Sequence, residues 1–310
     1  MTAANAQRET SPPGPERRPS ASESVGAGES VGARENVGAG TAAGAGTGAV
    51  ERVEALGATF VVERLGAAAA PLRLVWLHGW GQSRGAMRPL AERFATRAET
   101  LLVDLPGFGQ APVPPADWGT EQYGAALAEW LARLPPARNV IAGHSFGARV
   151  ALRLAAARPE LAGGLVLIAG AGLKRRRSLA YRARATLLRA SLRVAALLDR
   201  VARTGLAERM RSRVGSADYR RAGALRGVFV RTVTEDLTEA ATRVRCPTLL
   251  VYGALDTETP PEFGERFKAL IPSAELAILP HFDHWTVLGP GRHQVESLMK
   301  RFLETLSPGA

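Results

Sequence analysis

From about residue 55 onward, short apolar runs alternate with stretches whose apolar residues recur every three or four positions. Thr59-Phe60-Val61-Val62 reads as an early edge strand, and Leu72 to Leu77 as a second strand ending at His78-Gly79-Trp80-Gly81. A helix is expected near Ala86 to Phe94. The strand Leu101-Leu102-Val103 follows, closed by Asp104-Leu105-Pro106-Gly107-Phe108-Gly109. Tyr123, Leu127, Leu131 and Leu134 recur at helical spacing, and Pro135-Pro136 stops that helix. Further strands are expected at Val140 to Ala142, Leu165 to Ile168, Thr248 to Tyr252 and Leu276 to Leu279. Helices are expected up to about Ala157, near Phe263 to Leu270 and near Gln294 to Leu306. Alternation of this kind predicts an α/β fold, a mostly parallel central sheet with helices on both faces.

Two segments depart from the pattern. Residues 1–52 hold almost no large apolar side chain and repeat a hexapeptide three times, starting at Glu23, Glu29 and Glu35. Too little surface could be buried there to offset the ordering entropy, so a disordered low-complexity tail is expected, with the domain at 53–310. Residues 173–240 form the second departure and are expected to insert a helical lid. At 100° per residue, Arg182, Arg189, Arg193 and Arg200 fall within about 40° of one line, with Leu187, Val194, Leu198 and Val201 opposite.

Charge sharpens that reading. The chain carries a net charge of +11, yet residues 173–236 alone hold 17 basic and 5 acidic side chains. The tail is close to neutral, and the remainder has 19 of each sign. A solvated face explains an arginine stripe most simply. An acidic carrier protein, a carboxylate or phosphate on the substrate, or an anionic membrane surface would also match it. Nucleic acid is not expected, because no binding module or interleaved aromatics accompany the basic residues. No apolar run approaches the ~18 residues of a membrane span. Arg17-Arg18 is not followed by the apolar core of a secretory signal. Cys246 is the single cysteine, which excludes an internal disulfide and suits a reducing compartment. A cytoplasmic location is the expectation.

The chemistry centres on Gly143-His144-Ser145-Phe146-Gly147, a G-x-S-x-G sequence between a strand and an alanine- and leucine-rich helix. That setting is a nucleophile elbow, in which a sharp turn lifts one serine hydroxyl clear of the sheet. A serine needs a base to take its proton, and the base needs an orienting acid. Loops at the carboxyl ends of later strands offer both: Gly253-Ala254-Leu255-Asp256, and Pro280-His281-Phe282-Asp283-His284-Trp285.

With the L-H-G-W-G run after the first long strand, the D-x-P-G-x-G turn and the order Ser…Asp…His, residues from about 55 to 306 resemble the α/β-hydrolase superfamily. The first half is similar to the carboxylesterases that cleave the methyl ester of pimeloyl-acyl carrier protein. At the elbow the chain differs from those enzymes, which carry tryptophan before the serine, leucine after it and a second glycine. The resemblance implies Ser145 as nucleophile, Asp256 as acid and His284 as base. It places the oxyanion between the backbone amides of Phe146 and Trp80. His144 and Gly79 are expected at the substrate, His78 only in its loop, and His281 and His293 outside the site. Asp104 is the rival acid, read as holding its own turn. No metal or cofactor motif is present, and none is expected. The implied activity is hydrolysis of an acyl ester or thioester of a small molecule through an acyl-enzyme. Two other readings stay open: C–C bond hydrolysis of a diketone by the same three residues, and a non-catalytic binding protein with a basic lid.

Overall fold

A computed structural model describes residues 48–174, 187, 191, 194 and 221–306. Its frame is one eight-stranded sheet. The strands are β1 (Val50–Ala55), β2 (Ala58–Leu65), β3 (Leu72–Leu77), β4 (Glu99–Asp104), β5 (Arg138–His144), β6 (Gly164–Ile168), β7 (Thr248–Gly253) and β8 (Ala274–Leu279). Their order across the sheet is β1-β2-β4-β3-β5-β6-β7-β8. β1 and β2 run antiparallel to their neighbours, and the six strands from β4 to β8 are mutually parallel. The described helices are α1 (Arg88–Ala91), α2 (Thr120–Ala132), α3 (Phe146–Ala157), α4 (Arg226–Thr234), α5 (Thr238–Thr242), α6 (Pro261–Leu270) and α7 (Arg292–Leu306).

The central strands are buried along their whole length, as continuous Val/Ile/Leu runs require when both faces are covered. Alternate residues separate into two cores. Val75, Leu77, Ile141, Leu165 and Leu250 pack with Leu127 of α2, Val150 of α3 and Phe267 of α6. Leu74, Trp76, Val140, Val166 and Val251 pack with Leu90 of α1 and with Met299 and Phe302 of α7. This is the period of two that a pleated strand imposes. Strand order reverses at β3, which lies between β4 and β5, and in open sheets of this kind ligands bind beyond the carboxyl ends of the strands at such a point.

Three expectations change. The strand containing Thr59–Val62 is not at the edge, because β1 pairs outside it through a two-residue turn. That turn is Leu56-Gly57, with φ of 49° and 75°, the left-handed pair a tight hairpin needs. β1 starts at Val50, inside the segment read as tail, and its exposed Glu51, Arg52 and Glu54 hid it from a hydrophobic pattern. The helix expected near Ala86 to Phe94 shortens to a 3₁₀ turn, Arg84–Ala86, and the four residues of α1. Met87, Leu90, Ala91 and Phe94 nevertheless reach the core as the pattern implied. The arginine stripe at 182, 189, 193 and 200 lies outside the described residues. Leu187 and Val194, from the face opposite it, are helical and exposed, at 71% and 57% of their surface.

Candidate active site

β5 ends at His144 and α3 begins at Phe146, so Ser145 makes the whole turn. Its backbone sits at φ 50° and ψ −104°, a region that costs a non-glycine residue about 1–3 kcal/mol. Two close approaches hold it there. A Cβ on Gly143 would lie 2.4 Å from the Gly147 carbonyl carbon, and one on Gly147 would lie 2.3 Å from Leu77 O. The Ser145 N–H donates to Ile168 O at 3.0 Å, fixing the turn to the end of β6.

The two later loops converge on this turn. The Ser145 hydroxyl lies 3.0 Å from His284 Nε2, and His284 Nδ1 lies 2.8 Å from Asp256 Oδ2. Asp256 and His284 are both almost fully buried. The Asp256 carboxylate also accepts the backbone N–H groups of Glu258 and Thr259, at 2.8 and 2.7 Å, and the Thr259 hydroxyl at 2.8 Å. Burial works to raise its pKa, but the His284 hydrogen bond and charge, with the Thr259 donors, hold it below the ordinary carboxylate value. The loops carrying Asp256 and His284 touch directly, through Leu255 N–H to Phe282 O at 3.0 Å. Asp283, which stands just before His284, accepts from the backbone of Trp285 and Thr286 and from the Thr286 hydroxyl, and so shapes the loop.

Sequence reasoning missed Thr259, Glu258 and Trp285. The indole N–H of Trp285 donates to Glu258 Oε1 at 3.0 Å, and Glu258 Oε2 lies 3.7 Å from His284 Nε2. Only the D-x-E-T spacing that begins at Asp256 could have pointed to the first two, as an aspartate capping its own turn.

Beyond β3, His78 is fully buried with both ring nitrogens engaged: Nδ1–H donates to Gly79 O, and Nε2 accepts the Leu105 N–H. The Gly79 N–H donates to Gln82 Oε1 at 2.8 Å. Among the described residues, no hydrogen bond engages the backbone N–H of Trp80 or of Phe146. The Trp80 ring packs edge-on against Phe108, Phe146 and Phe229, at centroid distances of 5.0, 5.5 and 5.0 Å. Asp104 is occupied elsewhere, by Arg84 N–H, the Arg84 guanidinium and Gln110 N–H. His281 and His293 are exposed. Among the described residues, no three His, Cys, Asp or Glu side chains cluster to hold a metal.

A sequence model described as the alpha/beta hydrolase family matches residues 74–293. The chain belongs to that family. A pimeloyl-[acyl-carrier protein] methyl ester esterase of Chromobacterium violaceum is 30% identical over 251 residues, covering 75% of this chain and 94% of the relative. A protein of the same name from Aeromonas hydrophila is 37% identical over 97 residues, covering 31% of this chain and 37% of its own length. Among solved structures, a thermophilic esterase from Thermogutta terrifontis superposes with a TM-score of 0.60 at 20% identity, covering 84% of this chain and all of that one. A putative lipase from Acinetobacter baumannii gives 0.64 at 20% identity, over 84% and 92%. These two show that the fold is that of the α/β hydrolases.

In this alpha/beta hydrolase, His144 has no exposed surface and meets His284 and Gly79 rather than open space. Its Nε2–H donates to the His284 carbonyl oxygen at 3.0 Å. Burial, reinforced by the neighbouring His284, lowers its pKa to about 3 against opposing contributions from that hydrogen bond and from Asp256. The ring is neutral in the folded chain, whereas in the unfolded chain it takes a proton below its ordinary 6.5. Stability therefore falls as pH drops from 6.5 toward 3, by at most about 1.4 kcal/mol per pH unit for one proton. Urea titrations of His144→Gln between about pH 6 and pH 4 are expected to show a shallower slope than wild type by up to that amount. Equal slopes would contradict the assignment.

Proposed function

We propose that this alpha/beta hydrolase cleaves a carboxylic ester or thioester through an acyl-enzyme on Ser145. The observation that carries the reading is the unbroken chain from Ser145 Oγ through His284 to the buried Asp256 carboxylate, at 3.0 and 2.8 Å. His284 Nε2 takes the serine proton as Oγ attacks the acyl carbon, and the resulting imidazolium is held by Asp256. The oxyanion is received by the amides of Trp80 and Phe146, and the loss of one such donor costs about 10²–10³ in rate. Collapse breaks the bond to the alcohol or thiol, which leaves with the proton from His284. Water then gives its proton to His284, attacks the acyl carbon and releases the acid, restoring the serine. Trp80, with Phe108 and Phe229 around it, supplies an apolar wall beside the oxyanion loop.

The ester class is supported by the named activity of the Chromobacterium relative, which matches this chain over most of both lengths. That name also favours a carrier-linked substrate, and the surplus of positive charge at 173–236 suits an acidic carrier docking there. The single cysteine, Cys246, is buried with its thiol pushed up to about 11 by that burial, so it takes no part in the chemistry and fits a cytoplasmic enzyme.

A fluorophosphonate probe tests the reading against a non-catalytic binding protein. Wild type is expected to be labelled once and Ser145→Ala not at all, with kcat on p-nitrophenyl butyrate falling by about 10⁴ or more in the variant. An unlabelled wild type would overturn it. Reversing Arg189 and Arg193 to Glu is expected to raise KM for a carrier-linked methyl ester while leaving a small neutral ester unchanged. Equal losses on both substrates would remove the carrier from the proposal.

A further inference from the structure

His144 is the residue between Gly143 and the serine, and it spends its side chain on the base rather than on the substrate. Its ring lies 4.9 Å from the His284 ring, centroid to centroid, at 45°. A carbonyl oxygen only accepts, so the hydrogen bond from Nε2 to His284 O fixes the tautomer: Nε2 carries the hydrogen and Nδ1 is bare. Nδ1 is buried and has no hydrogen-bond partner. It faces the oxyanion loop instead, where a Cβ on Gly79 would come within 2.7 Å of it. An unsatisfied buried acceptor is destabilising, and an apolar side chain of similar volume would avoid it. A polar ring with one idle nitrogen at this position therefore points to its other nitrogen.

That nitrogen holds main chain, not side chain. Asp256 orients the His284 imidazole, but orientation does not set how far the base stands from the serine. The distance depends on where the Cα of His284 sits, in a loop whose next residue, Trp285, is half exposed. We propose that His144 is a positioning residue: it ties the backbone of the base to the backbone of the nucleophile and thereby sets the gap from His284 Nε2 to Ser145 Oγ. One side chain, adjacent in sequence to Ser145, does what the sheet would otherwise have to do through β7 and β8. The inference rests on the reading of Ser145 and His284 given above. Its neutral ring keeps the tether intact across the range in which an imidazole can act as a base.

Two substitutions separate the tether from simple packing. His144→Leu fills the space without a donor, and His144→Gln carries an amide N–H to about the place of Nε2. A misplacement of about 1 Å at a reacting pair costs on the order of 10² in rate. On p-nitrophenyl butyrate, Leu is expected to lower kcat by about 10–100-fold with KM within about twofold, and to slow fluorophosphonate labelling by a similar factor. Gln is expected to recover kcat to within a few-fold of wild type. Wild-type kcat in the Leu variant would overturn the tether, as would equal losses in Leu and Gln. If Leu fails to fold, imidazole NMR of the wild-type protein decides: His144 as the Nε2–H tautomer, untitrated down to about pH 5, supports the tether, and an Nδ1–H tautomer overturns it. Activity lost in Ser145→Ala but kept in His144→Leu would sink only the tether; activity kept in Ser145→Ala would sink both readings.

Discussion

The turn at Ser145 is a non-glycine residue forced to φ 50°, and the packing that enforces it is the constraint on which the rest of the site depends. Gly143 and Gly147 let α3 start hard against the ends of β5 and β3, closer than any side chain would allow. The same contact sets the start of α3 beside the serine and brings the loop after β3 alongside. A helix start leaves its N–H groups without internal partners, so the turn that exposes the hydroxyl also presents donors for negative charge. The strained serine, the start of α3 and the loop after β3 are thus one local arrangement rather than three.

Around that turn the sheet acts as a ruler. Because β5, β6, β7 and β8 are parallel neighbours, their carboxyl ends lie side by side, and the loops carrying Ser145, Asp256 and His284 start from adjacent positions. The two cores hold the ruler rigid, each supplied by alternate residues of the same strands. What remains is fine adjustment, made by side chains that cross between loops. Thr259 fixes Asp256, Asp283 shapes the loop of His284, Glu258 holds Trp285, and His144 reaches from one loop to the next.

Much of this was legible in the chain itself, for a reason that lies in the fold. An elbow needs glycines at fixed spacing, and an acid or base just past a strand leaves a short local signature, so Ser145, Asp256 and His284 stand out. The parallel sheet was legible because strands buried on both faces become unbroken apolar runs. β1 was not, since an edge strand exposes Glu51, Arg52 and Glu54 and loses the pattern. The cross-loop contacts were not either. Thr259 and Trp285 touch partners that no periodicity joins, and Phe229 meets Trp80 from far along the chain. His144 was visible as a residue beside Ser145, but its orientation toward His284 is a property of the folded turn.

In the proposed reaction the hydroxyl at 145 carries the acyl group. Mixing the enzyme with p-nitrophenyl dimethylcarbamate, whose acyl-enzyme hydrolyses slowly, tests it most directly. Release of about one equivalent of nitrophenol per chain is expected, with the carbamoyl mass mapping to the peptide that contains Ser145. Release without a stable adduct, or an adduct mapped to any other residue, would contradict it.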